Sequence, residues 1–392
     1  MSNSAVRIPW GTPLFLAGFL SLGLPDGMLG VCWPSIAANF GQSLGALGLI
    51  LTVTILGAIT SSLASYRTYR AWGLGIHLGT SMTILALSIA LFILAPIWPA
   101  FVLAAFIYGL GGGGLDAVIN AYAATHHDLR YLNRLHALYG VGITVGPFVA
   151  ALAVAHGAWR DSYLALLPAL VALAVGMSFL LPQGPASDSR QPPNGGPNGL
   201  SQDSGTLPVI SIVPVFVLFF VYAGLEVTMG QWAFTWLTRE LGFSVLVGGL
   251  GVGVFWGSLT AGRFAAGLFG QRLSPKALLA ICASGGLIGV SAISLSANVV
   301  VALLGLPLAG ACLGPFYPSL MSAVPGGVAA HAANRTVGRA LAAANAGVGV
   351  MSALTGIAVS AVGLRGLSLV LVGAAAVLWL TVLAGSRPLK GR

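Results

Sequence analysis

Long apolar stretches separated by short polar segments recur along the whole chain. An α-helix needs about 20 predominantly apolar residues to cross a bilayer, and twelve stretches reach about that length. They lie near 13–38, 44–65, 73–95, 98–124, 134–156, 161–181, 208–237, 244–270, 276–296, 299–323, 336–361 and 366–386. The pattern predicts an all-α membrane protein with twelve transmembrane helices.

One polar segment is longer than the others and divides the twelve spans into six and six. Residues 183–207 are rich in Gln, Pro, Gly, Asn, Ser and Asp, a composition that favours a flexible, solvated linker. We therefore expect two six-helix bundles, 1–182 and 208–392, joined by a cytoplasmic linker.

The composition supports this assignment, because only 6% of the residues are charged, against about 25% in soluble domains.

With the N-terminus inside, fourteen of the 17 Lys and Arg residues, Arg263 among them, fall on the cytoplasmic side. The net charge of +9 is therefore a topology signal and predicts no nucleic-acid partner. We expect a monomeric multi-pass protein of the plasma membrane, the inner membrane of a bacterium, with both termini in the cytoplasm.

Asp116 lies in the fourth span and follows a glycine-rich stretch, Gly109–Gly114. An ionisable group at the centre of a membrane helix costs about 2.5–3.5 kcal/mol on the insertion scale, and such residues are functional candidates. Asn120 is four residues further on, so that it shares a helix face with Asp116. The glycines allow another backbone to approach closely. The stretch predicts a closely packed helix that presents a carboxylate and an amide to a cavity.

Asp26 in the first span has two interpretations. Pro25-Asp26-Gly27 is typical of a turn, and at mid-span a turn is tolerated only where it is buried in protein or lines water. Asp26 would then bond the backbone amides that the break frees. Alternatively, its carboxylate faces a cavity and acts in function. The two interpretations are compatible.

The seventh span carries Glu226, its only acidic residue, and Tyr222 lies one turn earlier on the same face. Gln231 would point elsewhere on an ideal helix. Trp232 is either an anchor at the lipid interface or, beside a glutamate and a glutamine, a residue that stacks on a ligand.

Three further features add candidates. His136, at the start of the fifth span, is either a proton relay or sugar ligand, or a satisfied interfacial histidine. Gly314-Pro-Phe-Tyr-Pro318 predicts a kink in the tenth span. The eleventh span contains one amide, Asn345. No metal site is predicted, because His126-His127-Asp128 has no further ligands nearby in the sequence.

An internal repeat supports the division into halves. Gly41 and Gly146 recur as Gly242 and Gly347 at a constant offset of 201. Two parallel six-helix halves related by an axis along the membrane normal place a binding site at their interface, near the bilayer midplane.

These features resemble the major facilitator superfamily and, within it, the fucose–galactose–glucose:proton symporter group. Thr260–Arg272 resembles the superfamily's loop motif, and Leu115-Asp-Ala-Val-Ile-Asn120 matches the acidic-x-x-x-Asn pattern of the group. Asp26 resembles the group's aspartate in the first span. Gly224-Leu-Glu-Val-Thr-Met-Gly-Gln-Trp232 is similar to its Glu-x-x-x-Gly-x-Trp stretch, and His136-x-x-Tyr-Gly140 to its fifth span.

The resemblance implies a proton-coupled sugar symporter that works by alternating access and needs no cofactor. A low-dielectric environment disfavours the charged form of a carboxyl group, so that such a group can exchange a proton near neutral pH. We assign the main coupling role to Asp116, while Asp26 and Glu226 bind sugar hydroxyls and either can share the proton. The expected sugar ligands are Asn120, Gln231, Asn345, Trp33, Trp232, Tyr139, Tyr222, Tyr317 and His136.

Several alternatives stay open at this point. Sodium could replace the proton, and a proton-coupled exporter of drugs or metabolites could use the same acids. Carriers of anions would need Arg or Lys at mid-depth, and the sequence shows no clear candidate. An enzyme is not expected, because the chain has no G-x-S-x-G, H-E-x-x-H or P-loop pattern. A scaffold would not need three intramembrane acids.

Overall fold

The computed structural model describes residues 11–127, 129–184, 209–269, 273–295, 298–323 and 330–384, and all statements below concern these ranges. They form one short 3-10 turn, Leu44–Ala46, and thirteen α-helices. The helices are α1 (Gly11–Asn39), α2 (Leu47–Leu94), α3 (Trp98–His126), α4 (Leu129–Ala155), α5 (Trp159–Leu164), α6 (Leu167–Leu180), α7 (Val209–Arg239), α8 (Val245–Phe269), α9 (Pro275–Leu295), α10 (Val299–Leu313), α11 (Phe316–Ala323), α12 (Ala330–Val362) and α13 (Leu364–Ala384).

In the described ranges, eleven helical segments are long and apolar enough to cross a membrane. One of them, 44–94, is too long for a single span, and it breaks at Gly73, which has φ 79° and ψ 178°. Glycine adopts a positive φ without steric penalty, so the chain can bend there into two helices, 47–72 and 74–94. The eleven segments therefore account for the twelve predicted spans, and the all-α membrane fold is confirmed.

Two predicted irregularities have different outcomes. The tenth span breaks between α10 and α11, next to Pro315, as the two prolines predict. α1, in contrast, runs without interruption through Pro25 and Pro34, so that no turn forms at Asp26.

Contacts divide the chain into two compact units. The first unit comprises residues 1–40 and 53–199, and the second comprises 41–52 and 200–392. The division after residue 199 falls inside the predicted linker, of which 185–207 lie outside the described residues, so the linker's flexibility stays a prediction.

In the first unit, α1 packs against α4 through glycines. A Cβ atom added to Gly23 would lie 2.8 Å from the backbone nitrogen of Ile143, and one added to Gly146 would lie 3.2 Å from that of Met28. Real Cβ atoms essentially never approach within 3.0 Å, so Gly23 in particular cannot carry a side chain. The two backbones therefore touch directly.

The second unit repeats this contact between α7 and α12. A Cβ atom on Gly224 would lie 2.8 Å from the carbonyl oxygen of Gly347, and one on Gly347 would lie 2.8 Å from the Cα of Phe220. Gly224 and Gly347 are Gly23 and Gly146 shifted by 201 positions. The offset found in the sequence therefore relates equivalent packing positions in the two units.

Another pair at this offset shares its backbone conformation. Gly41 has φ 61° and Gly242 has φ 69°. Both follow the first helix of a bundle, where a left-handed residue ends the helix and turns the chain.

Candidate functional site

Asp116 and Asn120 lie on the same face of α3, as their spacing predicts. The Asn120 amide donates both to Asp116 Oδ1, over 2.9 Å, and to the Asp116 carbonyl oxygen, over 3.0 Å. The Asp116 side chain is exposed and Asn120 is half-buried. The carboxylate is therefore accessible, and one of its oxygens accepts a hydrogen bond from a neutral donor.

The glycines before Asp116 bring α3 close to α2. A Cβ atom on Gly113 would lie 2.5 Å from the carbonyl oxygen of Ala58, and one on Gly111 would lie 2.7 Å from the backbone nitrogen of Leu85. Both segments of α2 therefore touch the glycine-rich stretch, which confirms that the glycines allow close backbone approach.

Two phenols donate hydrogen bonds to the carboxylate of Asp26 on α1. Tyr108 on α3 donates to its Oδ1 over 2.8 Å, and Tyr139 on α4 donates to its Oδ2 over 2.9 Å. Since α1 is unbroken, the interpretation of Asp26 as the cap of a local break is wrong. Tyr108 escaped the sequence analysis, because no motif links residues 82 positions apart.

Glu226 on α7 forms an ion pair with Arg263 on α8. Arg263 Nη2 lies 2.9 Å from Glu226 Oε1 and 3.2 Å from Oε2, and it donates to the Tyr222 hydroxyl over 3.2 Å. Tyr222 donates to Glu226 Oε2. Glu226 is the midpoint of the apolar segment 213–239, so the guanidinium group reaches the middle of the span.

Arg263 corrects one statement made from the sequence. It lies within α8, inside the predicted span 244–270, and it is the basic group at mid-depth that the sequence did not reveal. Counting basic residues to predict topology does not distinguish an arginine in the last turns of a helix from an arginine in the loop that follows. The signal available was Glu226, since a charge within a span requires a partner.

The aromatic candidates lie mostly in the interior of the units. Trp33 and Trp232 have no exposed surface, and Trp33 packs 6.2 Å from Trp98. Tyr222 is 1% exposed and stacks on Phe316 at 5.5 Å. Direct contact of these rings with a ligand would require movement of the helices, and their role in binding stays a prediction.

The remaining candidates differ in exposure. Tyr139 and Tyr317 are half-buried, His136 and Asn345 are exposed, and Gln231 is 5% exposed. His136 makes an edge contact with Phe19, and Tyr317 makes one with Phe219.

The two units thus present different chemistry. In the first unit, Asp26 and Asp116 accept hydrogen bonds from phenols and an amide. The second unit holds a carboxylate paired with a guanidinium group. Within the described ranges, no three His, Cys, Asp or Glu side chains are placed to hold a metal ion; Asp128 lies outside them.

Comparisons with known proteins agree with this architecture. Residues 14–338 match the family model described as Major Facilitator Superfamily. The chain is 22% identical over 317 residues to the glucose/mannose transporter GlcP of Bacillus subtilis (strain 168), and the match covers 79% of this chain and 78% of that protein.

Two solved structures share the fold. The nucleoside transporter NupG (D323A mutant) matches with a TM-score of 0.78 and 15% identity, over 96% of this chain and 99% of that chain. A D-xylose-proton symporter matches with a TM-score of 0.76 and 14% identity, over 96% of both chains.

Proposed function

This chain belongs to the Major Facilitator Superfamily and is a multi-pass membrane transporter, and from that membership we propose that it carries a hexose-type sugar together with protons across the plasma membrane. The observation that carries the proposal is the pair of intramembrane carboxylates in the first unit, Asp26 and Asp116, which accept hydrogen bonds from the uncharged groups of Tyr108, Tyr139 and Asn120.

A carboxylate within a membrane span is costly while it is charged. Proton binding removes the charge, so that burial of the group away from water no longer carries the cost of desolvating an ion. Asp116 is exposed in this conformation, so it can take up or release a proton here. A protonated Asp116 favours the conformations that bury it, and this differential preference couples proton movement to alternating access.

The sugar is assigned to polar groups within the membrane spans. Hexose hydroxyls donate and accept, and the carboxylates, phenols and amides around Asp26, Glu226 and Asn120 offer both functions. The similarity to a glucose/mannose transporter supports a hexose as substrate. Arg263 does not favour an anion, because Glu226 matches its charge at 2.9 Å.

The test is a solid-supported-membrane current assay on proteoliposomes. A panel of hexoses is added at several pH values in the absence of sodium. We expect one sugar to produce an inward positive current that grows as the external pH falls, which identifies the substrate and the coupling ion together.

Two results would contradict the proposal in different ways. A current that requires sodium would replace the coupling ion and keep the sugar. If no hexose produces a current, while lipophilic cations produce pH changes, the protein is a proton-coupled exporter instead.

A further inference from the structure

Two consecutive backbone carbonyls of α3 accept hydrogen bonds from side chains of α2. The Ser62 hydroxyl donates to the Gly113 carbonyl oxygen over 3.2 Å, and His77 Nε2 lies 3.1 Å from the Gly114 carbonyl oxygen. Ser62 belongs to the helix 47–72 and His77 to the helix 74–94, on opposite sides of the bend at Gly73. Both parts of α2 therefore hold the same turn of α3.

His77 is a buried polar side chain that the proposed function does not use. It is 5% exposed, and its Nδ1 lies 2.9 Å from the Thr68 hydroxyl. Because a carbonyl oxygen only accepts, Nε2 is the atom that donates to Gly114. The imidazole ring thus bridges three helical segments: 47–72 through Thr68, 74–94 through its own backbone, and α3 through Gly114.

The turn that receives these bonds has no side chains of its own to fix its position. Residues 111–114 are four consecutive glycines, and glycine leaves a helix locally flexible. A Cβ atom on Gly114 would lie 2.8 Å from the Ser81 hydroxyl, so a larger residue there would require the Ser81 side chain to move. The position of the turn depends on backbone contact and on the bonds from Ser62 and His77.

Asp116 follows this turn by two residues. His77 bonds a backbone carbonyl, and within the described residues no hydrogen bond joins it to the Asp116 carboxylate. Any effect of His77 on Asp116 therefore passes through the backbone of α3. A side-chain donor on a helix carbonyl does affect the path of the helix, because it competes with the backbone ladder and favours a bend. His77 can therefore set where α3 places Asp116.

We propose that His77 is a positioning residue for proton coupling: its bond to the Gly114 carbonyl fixes the glycine-rich turn of α3 and thereby the place of the Asp116 carboxylate. The proposal rests on the proposed function, in which Asp116 carries the proton. It predicts that loss of the bond loosens the coupling between proton and sugar while sugar binding itself persists.

The experiment compares three single variants with the wild type in proteoliposomes. His77→Phe keeps a planar ring and removes the donor, while His77→Gln places an amide nitrogen where Nε2 stood. Ser88→Ala is the control, because Ser88 is fully buried on the same helix but donates to its own backbone, to Leu85, over 2.7 Å. Two quantities are measured: proton-driven accumulation of the sugar and counterflow exchange, which needs no net proton movement.

We expect His77→Phe to lower accumulation about tenfold and to leave counterflow within about twofold of the wild type. His77→Gln should recover most of the accumulation, and Ser88→Ala should match the wild type. A purely structural role of His77 would reduce both activities together, which would overturn the proposal. Unchanged accumulation in His77→Phe would overturn it as well.

The failure of the underlying function has a separate signature. If wild-type protein gives no sugar-induced proton current, the proposed function fails. If the wild type is coupled and Asp116→Asn is uncoupled, but His77→Phe behaves as the wild type, only the positioning role fails. If His77→Phe does not yield folded protein, His77→Gln is compared with His77→Asn, whose shorter amide cannot reach Gly114. Loss of accumulation in His77→Asn alone supports the positioning role. Equal accumulation in the two variants overturns it.

Discussion

Arg263 and Glu226 face each other between α8 and α7, with 2.9 Å between the guanidinium Nη2 and the carboxylate Oε1. The side chains are 30% and 13% exposed, respectively, so the pair is only partly open to solvent. Each side chain can be buried in its charged form because the other neutralises it, since an unpaired ion in a low-dielectric interior carries a large desolvation penalty.

The first prediction concerns this pair. Removing one partner of a fully buried pair costs about 3–5 kcal/mol, and for Arg263→Gln we expect a smaller loss of about 2 kcal/mol because the group is partly exposed. The double variant Arg263→Gln, Glu226→Gln should regain most of the stability, since no charge is left unpaired. Thermal unfolding in detergent measures both, with Arg239→Gln, an exposed site on α7, as the control. A double variant less stable than the single one would contradict this account.

The second prediction concerns Asp116. Asp116→Asn keeps the size of the side chain and removes the group that can exchange a proton. We expect proton-driven accumulation to be lost and counterflow exchange to persist. Asp161→Asn is the matched control, because Asp161 is an exposed aspartate in α5. Accumulation at the wild-type level in Asp116→Asn would contradict the assignment of Asp116 as the main coupling residue.

The third prediction concerns the phenols on Asp26. A hydrogen bond to a charged group contributes about 1.5–3 kcal/mol, so Tyr108→Phe and Tyr139→Phe should each raise the KM for the sugar by about tenfold. Tyr163→Phe is the control: Tyr163 is 1% exposed, and its hydroxyl has no hydrogen-bond partner in the described residues. Equal KM values for all three variants would show that Asp26 does not depend on these donors for substrate binding.

The fourth prediction concerns the contact between α1 and α4. Gly23→Ala adds a Cβ atom 2.8 Å from the backbone nitrogen of Ile143, and backbone cannot move aside as a flexible side chain can. We expect loss of folded protein on size-exclusion chromatography. Gly373→Ala, in open space on α13, should leave stability unchanged or raise it by up to about 1 kcal/mol. Similar yields of the two variants would show that the helices can separate without loss of the fold.

Helical periodicity explains what could be predicted from the sequence. The bond between Asp116 and Asn120 follows from a spacing of four, and the twelve spans follow from the length of their apolar runs. The break at Gly73 also lies at the start of the third predicted span, 73–95. These features depend on residues that are close in sequence, so a local pattern is sufficient to find them.

Partners distant in sequence could not be predicted in this way. The contacts of Asp26 with Tyr108 and Tyr139, and of His77 with Gly114, join different helices, and no spacing rule relates their positions. The pairing of Arg263 with Glu226 was missed because a long side chain near a helix end can point into the bundle or away from it. Packing decides between the two directions, and packing is a property of the folded chain.

The contact between α1 and α4 also determines how this protein responds to mutation. Where Gly23 and Gly146 bring two backbones together, there are no side-chain atoms to delete, so a survey that truncates residues to alanine would enlarge these positions rather than reduce them. Hydrophobicity would have no predictive value there, since any added atom meets backbone. In a saturation scan, we expect these positions to accept glycine alone, and to be as intolerant as the buried acids although they bind nothing.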